Sequence, residues 1–219
     1  MRLAESLGCE NRIARFKEVL ENRTDKIVPV FENLHKPHNA SAVIRTCDAL
    51  GVAYAHFIDE AEDSLLSKNI SKGSQNWVDT HVYRSKEDCF TSLQAQGYVL
   101  AATCLDENAV TPSDLPTDKK IAVIFGNELE GISSTALEAA EYTVAIPMFG
   151  FVDSFNVSVA AAIIFYDHLQ KIRSLSREVW GLSEMQKKKL MRRWLYYNTR
   201  LGKLLDNKER QKALLGYNK

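Results

Sequence analysis

The chain is predicted to be an α/β protein with a mainly parallel sheet flanked by helices, and three observations carry that expectation. Six short segments rich in Val, Ile and aromatic residues recur, helical segments separate most of them, and several strand-like runs pass directly into a polar loop or a helix start. The strands are expected at Lys26–Phe31, Ala53–Ile58, Val78–Tyr83, Tyr98–Thr103, Ile121–Phe125 and Tyr142–Pro147. The helices between them are expected at Asn39–Leu50, Ser64–Lys72, Lys86–Gln96 and Ser133–Ala140. Pro112 and Pro116 mark a loop before the fifth strand. After the sixth strand, the Ala-rich run from Val157 to Tyr166 opens a helix. A last helix is expected over Ser183–Arg200, where Leu190, Trp194, Tyr197 and Leu201 form an apolar stripe suited to docking on the body.

Composition narrows the class further. With 219 residues, 45% of them hydrophobic and 26% charged, the chain is long enough for one sizeable core plus appendages. Residues 1–23 are charged and lack the apolar centre of a signal peptide, and the longest apolar run is far short of a membrane span, so a cytoplasmic protein is expected. Cys9, Cys47, Cys89 and Cys104 form no Cys-x-x-Cys pair and have no His at metal-ligand spacing. Reduced thiols and no metal are expected.

The net charge of zero hides a partition. Residues 1–36 carry 7 basic and 6 acidic side chains, residues 37–170 carry 7 and 18, and residues 171–219 carry 14 and 4. A tail of +10 on a body of −11 can neutralise the phosphates of a nucleic acid, or it can be a solvated or charge-paired helix face.

Three segments hold the polar side chains that could carry chemistry. The first is His38-Asn39-Ala40-Ser41-Ala42-Val43-Ile44-Arg45-Thr46-Cys47-Asp48-Ala49-Leu50-Gly51. The second runs from Ile121 through Gly126-Asn127-Glu128 to Ser133, and the third from Ile146 through Asp153-Ser154-Phe155-Asn156 to Ala160. Asn156 falls where an N-cap belongs, its side-chain oxygen set to accept from a backbone N–H two or three residues on. Asn39 is expected to cap its own helix. On that helix Ala42, Val43, Thr46, Cys47 and Leu50 share a face, with Ser41, Arg45 and Asp48 off it, so an Arg45–Asp48 pair is the plain structural reading. Gly126 reads as a turn residue needing positive φ, Thr103 as a strand end, and Ile146 and Phe155 as core. No Gly-x-Gly-x-x-Gly fingerprint follows the first strand, so a Rossmann-type dinucleotide site is not expected.

In this order the three segments resemble the motifs of the SpoU (SPOUT) RNA 2'-O-ribose methyltransferases, nearest to the branch acting on the D-loop guanosine of tRNA. The likeness extends to the tail, through Trp180-Gly181-Leu182-Ser183 and Arg193-Trp194-Leu195-Tyr196. It implies an N-terminal helical extension over 1–25, a methyltransferase domain over 26–175 with a deep trefoil knot, and a basic helical extension over 176–219. It implies S-adenosyl-L-methionine as cofactor, tRNA as substrate, and a homodimer in which each active site draws on both chains. The cofactor pocket would hold Thr103, Gly126, Ile146 and Phe155, and the catalytic group would be Asn39, Arg45, Glu128, Ser154 and Asn156. Lys72-Gly73-Ser74-Gln75-Asn76-Trp77 would face substrate, and Tyr196 is a candidate for stacking on a base.

The resemblance assigns the matching arginine to activation of the 2'-hydroxyl, yet guanidinium, with a pKa above about 12, is a poor general base. An electrostatic role suits it better, gripping phosphate bidentately while charge develops on the 2'-oxygen. Three alternatives stay open at this level: the same chemistry on ribosomal RNA or another tRNA site, a non-catalytic RNA-binding module of the same fold, and a generic α/β nucleotide-binding enzyme.

Overall fold

The computed structural model describes residues 10–34, 36–60, 77–127 and 129–198. Contacts divide the chain into two units, Thr24–Gly181 and a smaller one made from the chain's ends, Met1–Arg23 with Leu182–Lys219.

The larger unit is built on six strands: β1 (Ile27–Glu32), β2 (Tyr54–Ile58), β3 (Asp79–Tyr83), β4 (Tyr98–Thr103), β5 (Lys120–Phe125) and β6 (Tyr142–Val144). They form one sheet in the order β3-β2-β1-β5-β4-β6, and every pairing is parallel. Strands β1 and β2 are buried at every residue, the continuous apolar pattern of a parallel sheet covered on both faces. Phe31 stacks between Phe57 and Phe125 at centroid distances of 5.5 and 5.0 Å, tying three neighbouring strands together below the carboxyl edge of the sheet.

Helices α1 (Glu10–Glu21), α2 (Pro37–Leu50), α3 (Lys86–Ala95), α4 (Ser134–Ala139), α5 (Val157–Arg173), α6 (Arg177–Trp180) and α7 (Glu184–Asn198), with a 3-10 turn at Pro112–Asp114, complete the described elements. Their ends follow local chemistry. Ser85 and Ser133 cap α3 and α4 by accepting from Asp88 and Ala136 N–H, and Gly51 closes α2 in the left-handed region at φ 76°. Helix α5 packs on α2, and its buried Ala161, Ile164, Phe165, Leu169 and Ile172 enter the core at helical spacing.

Two boundaries and one helix face depart from the sequence reading. Helix α2 begins at Pro37, not Asn39, because proline's fixed φ is already helical and its missing N–H costs nothing at the first position. Lys36 is the extended N-cap residue and supplies no side-chain cap, so Asn39 falls inside the first turn and is not a cap. Strand β6 stops at Val144, where the chain turns from the sheet and Ala145 N–H donates instead to the Val110 carbonyl. On α2, Ala42 is exposed while Ala40 and Ile44 are buried beside Val43 and Cys47, so the buried face is rotated from the one expected. The helix expected at Ser64–Lys72 and the segment Lys72–Asn76 lie outside the described residues. Trp77 is half-buried.

In the smaller unit α1 and α7 pack together. Ile13, Phe16 and Leu20 of α1 and Leu190 and Trp194 of α7 are buried, with Phe16 edge-on to Trp194 at 5.7 Å and the Arg23 guanidinium 5.5 Å from the same ring. The stripe expected to dock on the body is thus met by α1; Leu201 lies outside the described residues. Ser183 and Gln186 form a reciprocal capping box at the start of α7, Gln186 Oε1 accepting from Ser183 N–H at 2.9 Å and Gln186 N–H donating to Ser183 Oγ at 3.3 Å. Lys188, Lys189 and Arg192 are exposed on α7. Among the described residues, no helix is long and apolar enough to cross a membrane.

Candidate functional site

Ligands of open parallel sheets lie beyond the carboxyl ends of the strands. A cavity of about 460 Å³ occupies that position here, a volume suited to a nucleoside-sized ligand. Thr103, Cys104 and Leu105 reach it from the end of β4, Phe125, Gly126 and Asn127 from β5, and Val144, Ala145, Ile146 and Met148 from β6. Asp153, Ser154, Phe155 and Asn156 come from the loop that enters α5, and Lys36 from the start of α2.

Each wall has a physical cause. Thr103 Oγ1 donates to the Ile124 carbonyl at 3.0 Å, which fixes the side chain across the β4–β5 boundary. The loop after β5 folds back on itself: Asn127 N–H donates to the Gly131 carbonyl at 3.1 Å and Gly131 N–H returns to Asn127 at 3.2 Å. Asn127 Oδ1 accepts from Leu129 and Glu130 N–H at 2.8 and 2.6 Å, filling the inside of the turn. A Cβ on Gly126 would stand 2.1 Å from the Gly131 carbonyl carbon and oxygen, so glycine is required there by the closeness of backbone to backbone. The positive φ expected of Gly126 belongs to Gly131, at 75°. Below this loop Glu32, 2% exposed at the end of β1, accepts from Ser133 N–H at 3.0 Å and Ser133 Oγ at 2.6 Å, binding the start of α4 to the sheet. Burial and the nearby Glu32 charge push the Cys89 thiol up to about 12, so that cysteine stays protonated.

Asn156 is the N-cap of α5, as expected: its Oδ1 accepts from Ser158 N–H at 2.9 Å and from Ser158 Oγ at 2.6 Å. Its Nδ2 donates to Asn39 Oδ1 at 3.3 Å, joining two segments 117 residues apart. Asn39 is 2% exposed, and its N–H donates to the Lys36 carbonyl at 3.0 Å. The start of α2 and the start of α5 therefore meet through two amides of defined orientation, with exposed Ser154 beside them.

The structure gathers Thr103, Gly126, Ile146, Ser154, Phe155 and Asn156 around the cavity, with Asn39 bonded to its rim. Phe155 is 40% exposed and not core. Arg45 is exposed, does not line the cavity and makes no ion pair among the described residues, so the expected pair with Asp48 does not form. It stands six residues beyond Asn39, a rise of roughly 9 Å along α2 and a rotation of about 240°. Glu128 lies outside the described residues. The sequence reading missed Lys36, Cys104, Asn127 and Asp153 on the cavity wall and Glu32 behind it. Lys36 was detectable as a charge just before the first segment and Asp153 as a charge within the third; nothing local marked Cys104 or Glu32. Among the described residues, no group of three His, Cys, Asp or Glu is placed to hold a metal ion.

Residues 26–166 match the model of the SpoU rRNA Methylase family. The chain belongs to that family. It is similar, at 35% identity over 86% of this chain and 85% of the relative, to the tRNA (guanosine(18)-2'-O)-methyltransferase of Borreliella burgdorferi. The Thermus thermophilus enzyme of the same name is 40% identical over 72% of this chain and 81% of its own length. Among solved structures, the A. aeolicus TrmH/SpoU tRNA modifying enzyme aligns with a TM-score of 0.75 at 32% identity, covering 88% of this chain and 99% of that one. The SpoU methyltransferase AviRb from Streptomyces viridochromogenes, in complex with AdoMet, aligns with a TM-score of 0.59 at 28% identity, covering 70% and 63%. The resemblance drawn from the three segments is borne out.

Proposed function

We propose that this chain transfers a methyl group from S-adenosylmethionine to the ribose 2'-hydroxyl of guanosine 18 in the D-loop of tRNA. The observation that carries the reading is the meeting of the first and third segments at one cavity, through the Asn156–Asn39 hydrogen bond. The names of the relatives at 35% and 40% identity support the substrate.

The residues present fit the cofactor. The cavity joins apolar Ile146 and Phe155, suited to an adenine ring, to the polar groups of Thr103, Asp153 and Ser154, and Gly126 holds backbone close enough to form a wall without a side chain. When bound, the cofactor supplies an activated sulfonium methyl. Thr103, Gly126, Ile146 and Phe155 orient it, while Asn39, Ser154 and Asn156 position the ribose for in-line attack and exclude water. Glu128 orients neighbouring polar groups. Arg45 acts by holding phosphate and stabilising negative charge at the 2'-oxygen, whose proton passes to phosphate or water.

Arg45 reaches a site through dimerisation. A mostly apolar cleft between α2 and α5 is lined by Thr46, Ala49, Leu50, Ala162, Ile163 and Tyr166, with Asp167 at its edge. A second chain covering this apolar cleft brings Arg45, on the same helix, to the other chain's cavity. The path from β5 through α4 to β6 beyond β4, then back into α5 against α2, supports a trefoil knot spanning the cavity. Residues 1–25 and 176–219, which contain α1 and α6–α7, act as extensions to the methyltransferase domain, the basic one engaging tRNA in the cytoplasm.

Incubation with labelled S-adenosylmethionine and an unmodified tRNA transcript, followed by mapping of the methylated ribose, tests the reading. Label at ribose 18 is expected. Methylation confined to ribosomal RNA overturns the substrate, and binding without transfer overturns the activity.

A further inference from the structure

Lys36 is the cation of the cavity wall among the described residues, separate from the polar group of Asn39, Ser154 and Asn156. It precedes Pro37, with extended backbone at φ −102° and ψ 108°, and its carbonyl accepts from Asn39 N–H at 3.0 Å. The turn that sets Asn39 against Asn156 therefore sets the base of the Lys36 side chain as well. Lys36 is exposed and makes no ion pair among the described residues.

Two facts decide what this ammonium meets. A ribose within an RNA chain is flanked by two phosphates, and one guanidinium can hold one of them. The body around the cavity is acidic, with 7 basic against 18 acidic side chains over residues 37–170, so an approaching RNA backbone needs local positive charge. Lysine is a compact charge on a flexible stem, suited to a phosphate that needs neutralising more than orienting.

We infer that Lys36 binds a backbone phosphate flanking the ribose held at Asn39 and Asn156, the second anion contact beside the one made by Arg45. The assignment rests on the proposed function for the location of the ribose. The same ammonium could instead meet the carboxylate of the cofactor, and the test separates the two.

Lys36→Ala and Lys36→Arg are compared with wild type in RNA binding across a salt series, in tRNA KM and kcat, and in direct S-adenosylmethionine binding. Lys36→Ala is expected to weaken RNA binding about tenfold, roughly the worth of one phosphate contact, and to lower the slope of log K against log salt by about 1. Cofactor affinity should stay within about twofold, and Lys36→Arg should restore most of the loss. An unchanged salt slope and tRNA KM overturn the inference, as does lost cofactor affinity with tRNA KM unchanged. Wild type that binds RNA with the Lys36-dependent slope but methylates no tRNA refutes the proposed function and leaves Lys36 a phosphate contact. Wild type that methylates tRNA while Lys36→Ala shows no effect refutes this inference alone.

Discussion

Asn156 has two jobs that substitution can separate. As the N-cap of α5 its Oδ1 satisfies Ser158 N–H, and as a donor its Nδ2 reaches Asn39. Removing both in Asn156→Ala costs about 1 kcal/mol of capping energy, which for a chain of this size lowers Tm by roughly 2–4 °C. Asn156→Ser retains a capping oxygen, so most of that Tm should return, yet its single hydroxyl cannot cap α5 and replace the amide donor to Asn39 at once. Asn156→Asp also caps well at the positive end of α5, but it sets an anionic oxygen against Asn39 Oδ1. If the paired amides align the ribose, kcat should fall by about 10²-fold in all three variants, the size of losing one preorganised polar group. Melting by scanning fluorimetry and single-turnover methylation of a tRNA transcript supply the two readings. Serine restoring turnover together with stability would refute the argument, leaving Asn156 a cap alone.

Gly126→Ala forces a Cβ into backbone atoms 2.1 Å away, so the loop to Gly131 must shift; a loss of about 1–3 kcal/mol by urea denaturation and weakened S-adenosylmethionine binding by calorimetry are expected. Arg45→Lys should remove most turnover while cofactor affinity holds, because lysine keeps the charge but not the bidentate grip; near-normal kcat would discard that role. Burial, with the His81 charge second, lowers His56 to about 3, and burial lowers His168 to about 4. Both stay neutral in the folded state while the unfolded chain takes up protons below about 6.5, so their contribution is whole above that pH and is lost as pH falls towards the folded values. Urea midpoints measured from pH 7 to pH 5 should drop, at up to about 1.4 kcal/mol per pH unit for each histidine, and a flat profile would contradict the burial argument.

Much of the sheet was legible because β-branched and aromatic runs of five or six residues can serve as little else once both faces are covered. The Asn156 cap was legible for a similar reason, since a polar residue directly before a long apolar helix has one local task. The start of α2 was misplaced because Pro37 outranks Asn39 as an initiator. Gly126 was assigned the right identity for the wrong cause: its neighbour across the turn is Gly131 backbone, which no local rule reveals.

Local pattern alone determined the six strands, helices α2 to α5 and α7, and the three polar segments, because backbone propensity and burial periodicity act over a few residues. Tertiary structure decided that β6 lies beyond β4, that Asn39 and Asn156 share a hydrogen bond, that Glu32 holds Ser133, and that Arg45 stands away from its own chain's cavity. Those outcomes depend on how the elements cross and pack, and contacts across 101 or 117 residues leave no short-range trace in the chain.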